Sequence, residues 1–328
     1  MKKAPSALTK EFRELMVADF RCRFRDLKLL IDPLESRSLS AGRIMDGDYS
    51  KIAKFSWQLT MPCPVERYFL VISTVCFFAA VVHTVIELRA KVFRPMRFNF
   101  FAIGLGSVFQ TAFLWIRGQE LGRCPITNLF EVFAFLAWSV ALVYMLVGPA
   151  YRLSLMGAFT APLVLLLQGF ALIAPIDTRH SGTVPANSWL EFHASMSLVA
   201  YGVFALACIA GVMYLLQERQ LKTHHLHSIF YHLPPLTNLF AVITRLLWWG
   251  FALYTVGIVS GFFTGRPLPR IQVVAAIALW LLYAAILQAR HLKWLAPKRV
   301  AALCIIGFSA ALALLWGITF TAELHHVP

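Results

Sequence analysis

The chain reads as an all-α fold, a polytopic membrane helical bundle of about eight transmembrane helices. Three observations lead there: 59% of the 328 residues are hydrophobic and only 14% charged, the mean hydropathy is +0.68, and the apolar residues gather into runs of membrane length. A soluble domain of this size cannot hide so much apolar surface. A helix of about 20 apolar residues, by contrast, crosses the hydrocarbon with every backbone polar group satisfied inside the segment.

The eight runs fall at roughly 67–88, 98–116, 128–148, 152–174, 190–217, 246–264, 271–289 and 299–320. The first, ERYFLVISTVCFFAAVVHTVIEL, carries His83 and Glu87 four residues apart and hence on one helical face. That spacing allows a hydrogen-bonded structural pair, or an intramembrane ionisable pair marking a proton path or a second haem position. Before the third run Pro125 breaks the backbone, Thr127 or Asn128 can cap the helix, and Glu131 sits in the first turn, where the macrodipole favours an anion. Little more than Gly148-Pro149 separates the third run from the fourth, a tight hairpin. Pro162 and Gly169 in the fourth are the only interruptions of a transporter kind, and no internal repeat accompanies them.

The fifth run opens on Asn187-Ser-Trp189-Leu-Glu191-Phe-His193. A histidine at a membrane boundary is costly without a partner, and neutral imidazole is a common axial ligand of haem iron. Four runs follow from His193 to the terminal His325-His326, an even number, so these imidazoles emerge on one side of the bilayer. Between the fifth and sixth runs lie His224, His225, His227 and His232; with no cysteine or carboxylate beside them they read as part of an interfacial helix. Trp248-Trp249 is expected at the far end of the sixth helix, in an aromatic belt.

The formal charge of +14 resides mostly in the N-terminal segment and in short loops, a pattern that fits anionic lipid and argues against nucleic acid. Twelve Lys and Arg flank the runs on one side, Arg89, Lys222, Arg245 and Arg290 among them, against five on the other, Arg117, Arg123, Arg179, Arg266 and Arg270. The richer side is expected to be cytoplasmic, which puts His193, His325 and His326 outside. Residues 1–65 then form a charged N-terminal tail that does not translocate readily, and residues 66–328 the eight-helix domain. A start at Met61, an exported tail or a span count off by one would each resolve the conflict. The six cysteines form no CxxC or CxxCH, so neither zinc nor covalent haem is indicated. Cys76, Cys208 and Cys304 read as core residues, and Cys63 and Cys124 share a side and could pair. No paired carboxylates, activated nucleophile or phosphate loop suggests an enzyme.

Four strings carry a resemblance. Pro125-Ile-Thr-Asn128-Leu-Phe-Glu131 with Phe135-Leu-Ala-Trp138 is similar to PLSNLYES…FLSW, and Asn187 to Met196 to NWLMMHVSM. Gly250-Phe-Ala-Leu-Tyr-Thr-Val-Gly257-Ile-Val-Ser-Gly261 is similar to GFPLLTIGILSG, and Gly307-Phe308 through His326 has the spacing of a final helix ending in LHSYG. In this order they resemble the cytochrome c assembly protein family, integral membrane haem-handling proteins of the CcsA, ResC and HemX types.

The resemblance implies cytochrome c biogenesis in the bacterial inner membrane, with haem held at the external face. His193 corresponds to one axial ligand and His326 to the second, with His325 an adjacent competitor; Trp189 stands beside them. A CcsB/ResB-type membrane partner is implied as well. The family's tryptophan-rich segment is missing, because Gly261-Phe-Phe-Thr-Gly-Arg-Pro-Leu-Pro-Arg270 leads straight into the next run, and the family's cytoplasmic-side histidine aligns with Gln288. These departures point toward the HemX-like branch, whose members serve as non-haem scaffolds or regulators of tetrapyrrole synthesis.

Overall fold

A computed structural model of the protein describes residues 65–90, 97–126, 128–150, 156–173, 187–223, 235–265 and 270–324. The chain divides into two units, Met1–Tyr68 and Phe69–Pro328, and the packing below is that of the second. The charged segment 1–64 lies outside the described residues.

The described helices are α1 (Val65–Ala90), α2 (Arg97–Leu121), α3 (Leu129–Ala150), α4 (Met156–Ile173), α5 (Ser188–Thr223), α6 (Leu236–Gly261), α7 (Arg270–His291) and α8 (Pro297–Leu324), with a 3-10 turn at Phe262–Thr264. Among the described residues there is no strand, and the all-α bundle matches the expectation from composition. Seven of these helices are long and apolar enough to cross a membrane; the apolar stretch of α4, Met156–Leu172, is shorter.

Local chemistry sets the ends. Gly122 closes α2 in the left-handed region at φ 61°, with Arg123 N–H reaching back to the Gly118 carbonyl at 3.2 Å. Asn128 then caps α3, its Oδ1 accepting from the Glu131 N–H at 2.8 Å. Asn187 caps α5 the same way, accepting from Trp189 N–H at 3.1 Å and Leu190 N–H at 3.4 Å.

Two boundaries differ from the sequence reading. α6 starts at Leu236, about two and a half turns before Arg245, because the helix runs through that arginine while hydropathy drops at it. Trp248 and Trp249 therefore lie near the middle of α6, half or more exposed, and not at its end. α5 is 36 residues long, about 54 Å, and outruns the bilayer core.

α3 and α5 are buried on most of their surface and form the centre. α6 lies antiparallel on α5 at very short range. A Cβ on Gly261 would meet the His193 ring at 3.0 Å, one on Gly257 the Ser197 Oγ at 2.7 Å, and one on Gly250 the Phe204 ring at 2.6 Å. Glycine at these positions is what lets the two backbones approach, the close packing that small residues give membrane helices. α7 joins through Tyr283, stacked on Phe204 with centroids 3.7 Å apart.

α8 returns along α5. A Cβ on Gly211, far down α5, would lie 2.8 Å from the Ala301 carbonyl near the start of α8. A step along α8 equal to that from Gly211 back to His193 reaches Thr319, about five residues or ~7 Å before the helix ends at Leu324. The C-terminal end of α8 thus rises to the level of His193 and past it.

Candidate functional site

His193 occupies the second turn of α5, held there by the Asn187 cap. Its Nδ1 lies 2.6 Å from the Gly257 carbonyl oxygen on α6. A carbonyl can only accept, so Nδ1 carries the proton and Nε2 keeps its lone pair. Among the described residues Nε2 has no hydrogen-bond partner. An imidazole with one nitrogen fixed by a backbone acceptor and the other free to donate electrons is competent to bind a metal.

The ring lines a cleft of about 380 Å³ between α5, the end of α6 and the start of α7. Ile258, Phe262, Val273, Ala276 and Ile277 supply apolar walls, and Gln272 is the other polar side chain. An apolar cleft with a single oriented imidazole suits a mostly apolar ligand that takes one nitrogen donor. Outside the cleft lining, Phe263, the neighbour of Phe262, packs on Trp189 (51% exposed, centroids 5.2 Å), which is edge-on to Phe192 (6.4 Å), and the three rings form an aromatic rim.

The Asn187 side chain ties this rim together, because its Nδ2 donates to the Thr264 carbonyl at 2.8 Å while its Oδ1 caps α5. Asn187→Ala is expected to cost about 1 kcal/mol through the lost cap and more through the lost tether. Thermal unfolding in detergent, with Asn187→Asp as a variant that keeps the cap and loses the donor, separates the two contributions.

On the other flank of α5 a groove of about 440 Å³ runs past Gly118, Arg123, Cys124 and Glu191. Behind it Arg117 and Glu131, each 1% exposed, form an ion pair with Nε donating to Oε1 at 2.8 Å. The Cys124 thiol lies 3.6 Å from the Ser195 hydroxyl. Burial pushes this thiol up from its ordinary value, the Ser195 hydrogen bond works against that, and the Glu191 and Glu131 carboxylates add to the rise. A thiol so shifted is a poor nucleophile at neutral pH.

The remaining sequence candidates fall variously. His325, His326, Cys63 and the histidines at 224, 225, 227 and 232 lie outside the described residues. His83 meets Asn99 Oδ1 through Nδ1 at 3.1 Å, and its Nε2 stands 3.6 Å from Glu87 Oε1. Gln288 is exposed on α7, and His291 is the last residue of that helix. Among the described residues no three His, Cys, Asp or Glu side chains converge as a metal site. The Gly257 carbonyl, Phe262 and Gln272 escaped sequence reasoning. The Gly257-Ile-Val-Ser-Gly261 spacing was the one visible signal for the first.

Comparison with known proteins identifies the family. The family model described as Cytochrome C assembly protein matches residues 126–326, from the α3 cap to the residues after α8. "Cytochrome c biogenesis protein CcsA" of Guillardia theta is 28% identical over 262 residues, covering 70% of this chain and 86% of that protein. The proteins of the same name from Chlamydomonas reinhardtii and Synechococcus sp. (strain CC9902) are 25% and 28% identical over 242 and 240 residues. They cover 68% and 62% of this chain, and 66% and 78% of their own lengths. With its apolar helices and a match over more than half its length, the chain belongs to the cytochrome c assembly protein family and is a multi-pass membrane protein.

Proposed function

We propose that this protein handles haem during cytochrome c biogenesis, with His193 as one axial ligand. The observation that carries the reading is the 2.6 Å bond from His193 Nδ1 to the Gly257 carbonyl, which leaves the Nε2 lone pair unshared on a ring that lines an apolar cleft. The residues present suit the group: a neutral nitrogen donor, apolar walls and an aromatic rim at Trp189. Haem bound here would supply the iron chemistry and the vinyl groups that cytochrome c maturation needs.

The chain's own residues would hold and orient it. Gly257 fixes the imidazole tautomer, Gly261 leaves room for the imidazole ring, and Phe262 and Trp189 would supply apolar surface beside the group. The second ligand would be His326, or His325 beside it, since both follow directly on the end of α8, which reaches past the level of His193. The charge asymmetry of the loops supports placing this end outside the bacterial inner membrane. A CcsB/ResB-type membrane partner would complete the machine, and residues 66–328 would be the working domain.

The test is the absorption spectrum of the detergent-solubilised protein. Wild type is expected to show a Soret band, His193→Ala to lose most of it, and added imidazole to restore part. A wild-type spectrum that His193→Ala leaves unchanged would remove His193 from the site. A second reading, a HemX-like non-haem scaffold or regulator of tetrapyrrole synthesis, is favoured by the short 3-10 turn at Phe262–Thr264, where no tryptophan-rich segment stands. It expects a colourless protein and altered porphyrin precursors in a deletion strain.

A further inference from the structure

The turn between α7 and α8 lies at the end of the bundle opposite His193 and belongs to neither the cleft nor its rim. Trp294 is 75% exposed there and Leu292 42%, with Lys293, Lys298 and Arg299 exposed around them. Among the described residues none of these three cations has an ion-pair partner. The sequence holds no Asp or Glu from Arg270 through Ala322, so the one carboxylate on the two helices of this hairpin is Glu323, at the far end of α8 from the turn.

The turn is a firm platform. Leu292 N–H donates to the Gln288 carbonyl at 2.9 Å and Trp294 N–H to the Ala289 carbonyl at 3.0 Å, while Leu295 packs on the core and Val300 is fully buried. Lys293 stands at φ 58°, the one non-glycine residue with positive φ among those described, where glycine would fit without strain. A cation stands at that position although the backbone favours glycine.

Depth decides what covers this patch. α7 is 22 residues long, about 33 Å, which matches the hydrocarbon thickness of about 30 Å. The residues just past His291 therefore emerge in the headgroup layer, where a tryptophan's apolar body and N–H tip are both accommodated.

We propose that the α7–α8 turn is a binding site for anionic phospholipid, Trp294 lying among the acyl carbonyls and Lys293, Lys298 and Arg299 gathering phosphodiester headgroups. Its test uses the full chain in vesicles of phosphatidylcholine and phosphatidylglycerol at one fixed ratio, with bromine on the tails of one lipid or the other. The Trp294 signal is the fluorescence of wild type minus that of Trp294→Phe. Per brominated lipid, quenching is expected to be at least about twofold greater when the bromine is on phosphatidylglycerol, given the attraction of each basic side chain for an anionic surface. The excess should vanish in Lys293→Gln/Lys298→Gln/Arg299→Gln. Salt at about 0.5 M should remove it too without altering the chain, so the result stands even if the triple variant fails to accumulate. Equal quenching by the two lipids, or an excess that survives both treatments, overturns the proposal; no quenching by either also overturns it and leaves the turn to an acidic protein surface.

Discussion

Arg117→Met is expected to lower the stability of the solubilised protein by about 3–5 kcal/mol, the loss typical when one member of a buried ion pair is removed. Both partners are 1% exposed, so solvent does not screen the pair. The arginine also stacks over the Phe130 ring at 5.1 Å, and the glutamate is fixed from the backbone side by the Asn128 cap. Methionine would preserve the packing of the arginine stem and take the guanidinium's charge away from the buried Glu131 carboxylate. Glu131→Gln should do less damage, since the amide can still accept from the guanidinium. The double variant Arg117→Met/Glu131→Leu should recover most of the loss, because the two charges then leave together. Thermal melts of the full cycle measure this; a single-variant cost below about 1 kcal/mol would mean that the pair does not hold α2 to α3.

How much of this was legible in the sequence depends on which atoms carry the structure. Helix centres were readable because an apolar run is a property of consecutive side chains: α1, α3 and α7 fall within a few residues of the runs that announce them. The start of α6 was not, since Arg245 ends the apolar run without ending the helix. Likewise Arg117 counted as one more loop charge, although Glu131 lay 14 residues on across the turn and within reach as a partner. His193 stood out because an ionisable ring at a membrane entrance needs a reason. Its reason, the Gly257 carbonyl, is a backbone atom 64 residues away, and no side-chain pattern encodes it. What the sequence did carry was the spacing Gly250, Gly257, Gly261, whose meaning appears only once α6 is laid antiparallel on α5 and each glycine meets Phe204, Ser197 and His193 in turn.

That register makes Gly261→Ala the sharpest probe of the site. The added methyl would approach His193 Nδ1 at 3.0 Å and Cε1 at 3.1 Å, closer than the ring can tolerate without moving, and Nδ1 is the atom that donates to Gly257. The imidazole would have to tilt away from its acceptor. Loss of such an orienting bond typically weakens metal binding about 10–100-fold, so haem affinity should fall by that factor. Stability should change little, because the obstacle is a partly buried ring near the end of the helix pair and not the backbone. Gly257→Ala should behave differently. Its methyl would meet Ser197 Oγ at 2.7 Å and the Ser197 backbone N at 3.3 Å, atoms that cannot swing aside together. The helices would have to part, at a cost of about 1–3 kcal/mol, and the His193 bond would lengthen as a consequence. Haem titration followed at the Soret band, paired with thermal melts of both variants, separates the two outcomes. If Gly261→Ala melts early while binding as wild type does, the glycine serves helix packing alone and the fixed tautomer of His193 is not what the site depends on.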